Sequence, residues 1–146
     1  MTADPATEAQ LAEIVRAATV VAVVGMRDES NADAPAHEIP KLIQSLGVRV
    51  IPVNPKLTET LGEKAYPNLA ALPVRPDIVD VFRRSEAIGE IADEVLALPA
   101  DKRPKVVWLQ TGIRNDEAAA RLEAAGITVV QDRCLGVYSK RYRKAA

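Results

Sequence analysis

Five short apolar runs punctuate the chain: Val20–Val24, Val48–Val53, Asp77–Phe82, Lys105–Leu109 and Ile127–Val130. Each is rich in β-branched residues and nearly continuous in apolarity, the pattern of parallel strands covered on both faces. The segments between them read as helices. In "SEAIGEIADEVLAL", Ile88, Ile91, Ala92 and Val95 recur at i, i+3, i+4 and i+7, with Ser85 as the expected N-cap. In "NDEAAARLEAAG", Asn115 caps, Asp116 and Glu117 sit at the positive helix end, and Gly126 fits the C′ position.

The other intervals are weaker. "PAHEIPKLIQSLG" has Pro35 suited to a first turn and Gly47 to a C-terminus, while Pro40 inside it should kink or delay the helix. "TETLGEKAYPNLAALP" is expected to hold a short helical turn or two. A further helix, roughly Thr7–Ala17, precedes the first strand. Alternation of strand and helix with right-handed crossovers predicts an α/β fold: a Rossmann-like, doubly wound, parallel five-stranded sheet with helices on both faces. Numbering the five predicted strands along the chain, the expected order is 3-2-1-4-5. The similar spacing of the strands is the length of a β-α unit and not a sequence repeat.

At 146 residues, with no linker or low-complexity segment, the chain is expected to form one domain, residues 1–6 and 140–146 being frayed tails. Aromatic residues make up 3%, so the core must be aliphatic. A net charge of −1 argues against binding nucleic acid through overall charge. One cysteine and one histidine leave no disulfide framework and no zinc cluster within one chain. No apolar stretch reaches the ~18 residues of a membrane span, and the N-terminus lacks the features of a signal peptide. A cytoplasmic location is expected.

In doubly wound sheets ligands bind outside the carboxyl ends of the strands, near the reversal of strand order. That rule selects the loops at Gly25-Met26-Arg27, Asn54-Pro55-Lys56, Arg83-Arg84, Gln110–Asn115 and Gln131–Cys134. They carry Arg27, Lys56, Arg83, Arg84, Arg114 and Arg133, with Asp28 and Asp132 beside them, so the rim invites an anionic ligand. The first loop is not a dinucleotide fingerprint: the second and third glycine positions of G-x-G-x-x-G hold Arg27 and Ser30. It is not a Walker loop either, since no G-K-[ST] is present. One glycine before a helix N-terminus still permits close approach to a diphosphate. After the second strand, where an NAD site places a carboxylate for the ribose hydroxyls, stand Asn54, Pro55 and Lys56. An ammonium there suits a phosphorylated ribose, as in NADP or coenzyme A.

With "VVGMRDESN", "RVIPVNPK", "LGEKAYPNLAALP", "DIVDVFRRSEAI" and "VVWLQTGIRNDEAAARLEAAGITVVQDRC" in view, the chain resembles the small, free-standing CoA-binding proteins. These are related to the N-terminal CoA-binding domain of the succinyl-CoA synthetase alpha subunit. The resemblance runs from about Val20 to Cys134. It implies that Gly25, Met26 and Arg27 form the diphosphate loop. Val53, Asn54, Pro55 and Lys56 would meet the adenosine end, with Lys56 near the phosphorylated ribose. Phe82, Arg83 and Arg84 match the loop after the third strand, and Gln110, Thr111 and Gly112 the loop after the fourth. Asp132, Arg133 and Cys134 match a terminal "DRC". One departure is Arg27, where the family commonly has Ser or Thr; a guanidinium there replaces a hydroxyl contact by a charge-assisted one or folds over the site.

No catalytic constellation and no metal site is evident. His37 has no acid partner in a recognisable motif and is expected at a helix surface or cap. Cys134 reads first as a small packing residue, although a thiol at the mouth of a CoA site also has the chemistry to form a mixed disulfide. Trp108 reads as core, and "YSKRYRKAA" as a solvated cationic end. The leading reading is a non-catalytic module for CoA or an acyl-CoA, acting as carrier, sensor or partner of an enzyme, with a protein partner or a second copy of the chain as possible company. The alternative is an NADP-dependent oxidoreductase or another nucleotide-using enzyme.

Overall fold

The computed structural model describes residues 7–143. Five parallel strands, β1 (Val20–Val24), β2 (Arg49–Val53), β5 (Ile78–Val81), β6 (Val106–Leu109) and β7 (Thr128–Val130), form one sheet. Two short strands, β3 (Glu59–Thr60) and β4 (Glu63–Lys64), make a separate antiparallel hairpin. Helices α1 (Glu8–Ala17), α2 (Pro35–Ser45) and α5 (Leu135–Tyr142) cover one face, where Leu11, Val15, Ile43 and Leu135 pack with Val21, Val23 and Trp108. Helices α3 (Ile88–Leu96) and α4 (Asp116–Ala124) cover the other, where Ile91, Val95 and Leu122 pack with Val79, Val81 and Val107. The strands are thus buried on both faces, which is why their sequences are apolar without alternation. No helix among the described residues is long and apolar enough to cross a membrane.

The sheet order is β2-β1-β5-β6-β7, so the five predicted strands lie in the order 2-1-3-4-5 and not 3-2-1-4-5. The third predicted strand lands beside β1 instead of beyond β2. Pro52 gives the physical reason. It lies inside β2, where it has no N–H to offer a further strand, so β2 suits an edge. The chain that follows caps that edge: Tyr66 donates its amide to Pro52 O at 3.0 Å and Asn54 donates its own to Tyr66 O at 2.9 Å.

Three local expectations also change. Ser85 does not cap α3: it opens a 3-10 turn, Ser85–Ala87, and the α-helix begins at Ile88. The interval after β2 holds the hairpin as well as a single 3-10 turn at Leu69–Ala71. The supposed solvated end from Tyr138 is helical to Tyr142, and its packing explains why. Arg143 donates to Val15 O, Arg16 O and Ala18 O at 2.9–3.0 Å, capping α1. Arg16 Nε in turn donates to Tyr142 O at 3.2 Å. The remaining tail positions, 1–6 and 144–146, lie outside the described residues.

Candidate functional site

Order reverses between β1 and β5, and the loops leaving these two strands meet in close contact. Gly25 has φ +82°, and a Cβ placed on it would lie 2.5 Å from Phe82 O, so only glycine lets the loops approach this far. Its amide donates to Val53 O at 3.0 Å, tying β1 to β2 at the same level. Asn54 extends the brace: its Nδ2 donates to Met26 O, and its Oδ1 accepts from Lys56 N, both at 2.9 Å. The Asn54 turn therefore fixes where Lys56 leaves the sheet.

The segment carrying Arg27 is anchored by a gap in a helix. Pro40 has no N–H, so Ala36 O lacks its usual partner four residues on. Arg27 N supplies that partner at 3.0 Å. Helix α2 runs from Pro35 to Ser45 through Pro40. Downstream, Asp28 Oδ1 accepts from Ser30 N at 3.0 Å and tightens the turn Glu29–Asn31. Glu29 then reaches the hairpin. The Leu61 amide above all, then its own amide and the Thr60 hydroxyl, hold its carboxyl down to about 2. His37 Nε2 stands 3.5 Å from Glu29 Oε2. This histidine is 3% exposed, inside the molecule rather than on the helix surface where the sequence put it.

Two cavities open along the carboxyl edge and share Gly25, Arg27, Phe82, Arg83, Arg84 and Glu86 as a common waist. The larger, about 1100 Å³, extends over β2 and is bounded there by Val53, Asn54, Pro55 and Lys56. The smaller, about 760 Å³, extends over β6 and is bounded by Gln110, Thr111 and Gly112. Gly112 is positioned from below: Asp132, itself at φ +55°, accepts the Gly112 amide on Oδ1 at 2.5 Å.

Thirteen of the sixteen residues marked by the resemblance line one or both cavities. Met26, Asp132 and Arg133 do not. Met26 is fully buried in the core beneath the loop, so the loop presents its backbone there. Arg133 turns to the α5 side, donating to Tyr138 Oη at 2.9 Å, while its carbonyl accepts Trp108 Nε1 at 2.8 Å. Arg114 also lies outside both linings and pairs with Asp116 at 3.1 Å. Trp108 is fully buried, as expected of core.

Sequence reasoning missed two walls. Glu86, Glu90 and Glu94 follow one another at i, i+4, i+8 along the larger cavity, beside the apolar Ala87 and Ile91. The waist therefore carries three arginines against Glu86, and the larger cavity turns acidic along α3. That spacing is visible in the sequence as a helical stripe. The second wall is the first turn of α2: Ala34, Pro35 and Ala36 line the smaller cavity. Ala34, the N-cap, makes no side-chain capping bond, leaving the positive helix end for an anion.

Comparison with known proteins gives this geometry a context. The model of the CoA binding domain family matches residues 19–140. The uncharacterized protein YneT of Bacillus subtilis (strain 168) is 39% identical over 131 residues, which are 90% of this chain and 93% of that one. The structure of cell-free ID.343 from Thermus thermophilus superposes with a TM-score of 0.85 at 40% identity, covering 93% of this chain and 98% of that chain. The dinucleotide-forming acetyl-coenzyme A synthetase 1 of Ca. Korarchaeum cryptofilum, in its apo form, matches with a TM-score of 0.61 at 20% identity. The match covers 76% of this chain but 25% of the synthetase, and at that identity the likeness is one of fold.

Proposed function

This chain belongs to the CoA binding domain family, and from that premise we propose that it binds coenzyme A or an acyl-CoA along the carboxyl edge of the sheet. It does so as a carrier, sensor or partner module rather than as an enzyme, in the cytoplasm. The observation that carries this reading is the pair of cavities joined at a cationic waist. Coenzyme A has the matching form: a 3′-phosphorylated adenosine, a diphosphate, and a thiol-ended pantetheine arm.

The adenosine lies in the larger cavity, between the Asn54-Pro55-Lys56 turn and Ile91, with Lys56 on the 3′-phosphate. The diphosphate crosses the waist at Gly25, where Arg27, Arg83 and Arg84 offer charge-assisted hydrogen bonds and α2 presents its N-terminus. Arg27 supplies by charge what a Ser or Thr hydroxyl supplies elsewhere in the family. The pantetheine arm enters the smaller cavity, whose Ala36, Ile39 and Ile113 suit its apolar stretches and whose Gln110 and Thr111 suit its amides. His37 borders neither cavity, which supports a role in bracing the loop rather than in chemistry.

The test is a matched thermal-shift titration with CoA, NADP, NAD and ATP, since a ligand that binds the native state alone raises stability. CoA is expected to raise Tm most. A larger shift with NADP would replace this reading by a nicotinamide-dependent one.

A further inference from the structure

The chain's single cysteine stands at the smaller cavity, at the start of α5. Cys134 is the N-cap of α5, makes no capping hydrogen bond through its side chain, and is partly exposed. It lines the cavity together with Gln110. Its Sγ lies 3.7 Å from the point a Cβ on Gly136 would occupy, and that Cβ would meet Ile39 at 2.9 Å. Glycine at 136 thus lets α5 close on α2 beside the thiol.

Gln110 is an independent sign that something polar belongs here. It is 4% exposed, and its Oε1 accepts Leu135 N at 3.0 Å. That bond fixes the orientation of the amide, because a backbone N–H must face the oxygen. The Nε2 at its other end has no hydrogen-bond partner among the described residues. The free end of this nearly buried side chain lies at the cavity wall, placed to donate to a ligand atom that enters the cavity.

We propose that Cys134 is a thiol–disulfide exchange site for coenzyme A, so that the protein captures the oxidised cofactor as a protein–CoA mixed disulfide. This rests on the proposed CoA site, which sends the thiol end of the pantetheine arm into the same cavity. The co-reactant is a CoA disulfide. The Cys134 thiolate attacks one sulfur of the CoA–S–S–CoA bond, a Cys134–S–S–CoA bond forms, and the second CoA leaves as thiolate and takes up a proton from water. No electrons are gained or lost overall: one disulfide and one thiol become another disulfide and another thiol. The retained CoA half occupies the groove, and the departing half leaves through the open mouth.

The full chain, reduced and then freed of reductant, is mixed with CoA disulfide and followed by intact mass spectrometry without reductant. The expected product is one adduct, heavier by one CoA less two hydrogens, reversed by dithiothreitol and absent in Cys134→Ser. Pantethine, the disulfide of the same arm without the nucleotide, is the comparison. Because the nucleotide holds the disulfide at the thiol, CoA disulfide should react at least about tenfold faster at equal concentration. Desulfo-CoA, which has no thiol, should suppress the CoA disulfide reaction, because its arm fills the cavity that leads to Cys134. Equal rates for the two disulfides would mean an ordinary exposed thiol and overturn the proposal. Absence of adduct on a chain that CoA stabilises thermally would overturn it too, while leaving the CoA-binding reading intact. Failure of CoA to stabilise either the wild type or Cys134→Ser would remove that reading and this one together.

Discussion

Replacing Gly25 by alanine adds a single methyl group at the waist, and the structure says what that group costs. Two terms enter. A left-handed φ of +82° costs an L-residue about 1–2 kcal/mol. The new Cβ would also stand 2.5 Å from Phe82 O, a backbone atom that cannot rotate away, and relieving such overlap costs typically about 1–3 kcal/mol. Gly126→Ala isolates the second term: its φ is +86° but nothing lies within 4 Å of its would-be Cβ. Both variants also gain similarly from a stiffer unfolded chain, so that effect cancels in the comparison. Gly25→Ala should therefore unfold at lower urea than Gly126→Ala, with a further loss of about 1–3 kcal/mol at unchanged m-value. Relief must push the Phe82-Arg83-Arg84 loop away from β1 and widen the waist, so the Tm shift produced by CoA should shrink in Gly25→Ala and persist in Gly126→Ala. Equal stability of the two variants would refute the close-approach argument. Equal CoA shifts would show that the waist does not hold the diphosphate.

Lys56→Ala should weaken CoA by about 1–2 kcal/mol in calorimetric titration, as for one partly solvated charge-assisted bond, and leave dephospho-CoA nearly unchanged. Equal weakening of both ligands would move the 3′-phosphate to Arg83 or Arg84. Asp80 lies wholly buried in β5 with neither carboxyl oxygen hydrogen-bonded among the described residues, and burial pushes its pKa well above the ordinary carboxylate range. Above about pH 4 the unfolded chain gives up this proton while the folded chain keeps it, so Asp80 contributes a fall in stability with rising pH, by up to about 1.4 kcal/mol per unit, until the folded pKa is passed. The stability difference between Asp80→Asn and the wild type, from urea melts between pH 4 and 7, should grow with pH; a difference independent of pH would show that Asp80 is ionised in the fold.

The strands were legible because burial on both faces leaves a nearly continuous apolar record, and Asn115 and Gly126 mark the ends of α4 by local chemistry alone. Strand order is a different kind of information, set by which edges can accept a neighbour. Pro52 carried that signal in "RVIPV", inside a run otherwise read only for its apolarity. Helix α5 escaped because its support is tertiary: "YSKRYRK" reads as a charged tail until Arg143 meets the carbonyl end of α1 and Arg16 meets Tyr142 O. Those partners are more than 120 residues away and leave no periodic trace. Ser85 was read as a cap by its type, yet its hydroxyl accepts Arg114 N at 3.1 Å across to the loop after β6.

The site was legible as a set of loops but not as a shape. Strand ends nominate Gly25, Asn54, Arg83 and Gln110, because the carboxyl edge of a parallel sheet follows from strand direction alone. Which side chains then enter the groove depends on the bonds beneath them, and Pro40 shows the difference. In the sequence it is a defect in a helix. In the fold, the bond it fails to make frees Ala36 O to accept Arg27 N, so the irregularity holds the loop that carries the guanidinium. Arg133 shows the converse: its position in "QDRC" is at the edge, but Tyr138 draws its side chain to α5 and its neighbour Cys134 faces the cavity instead. Charge counting put both arginines at the same edge, and local bonding leaves one lining the cavities and turns the other to α5.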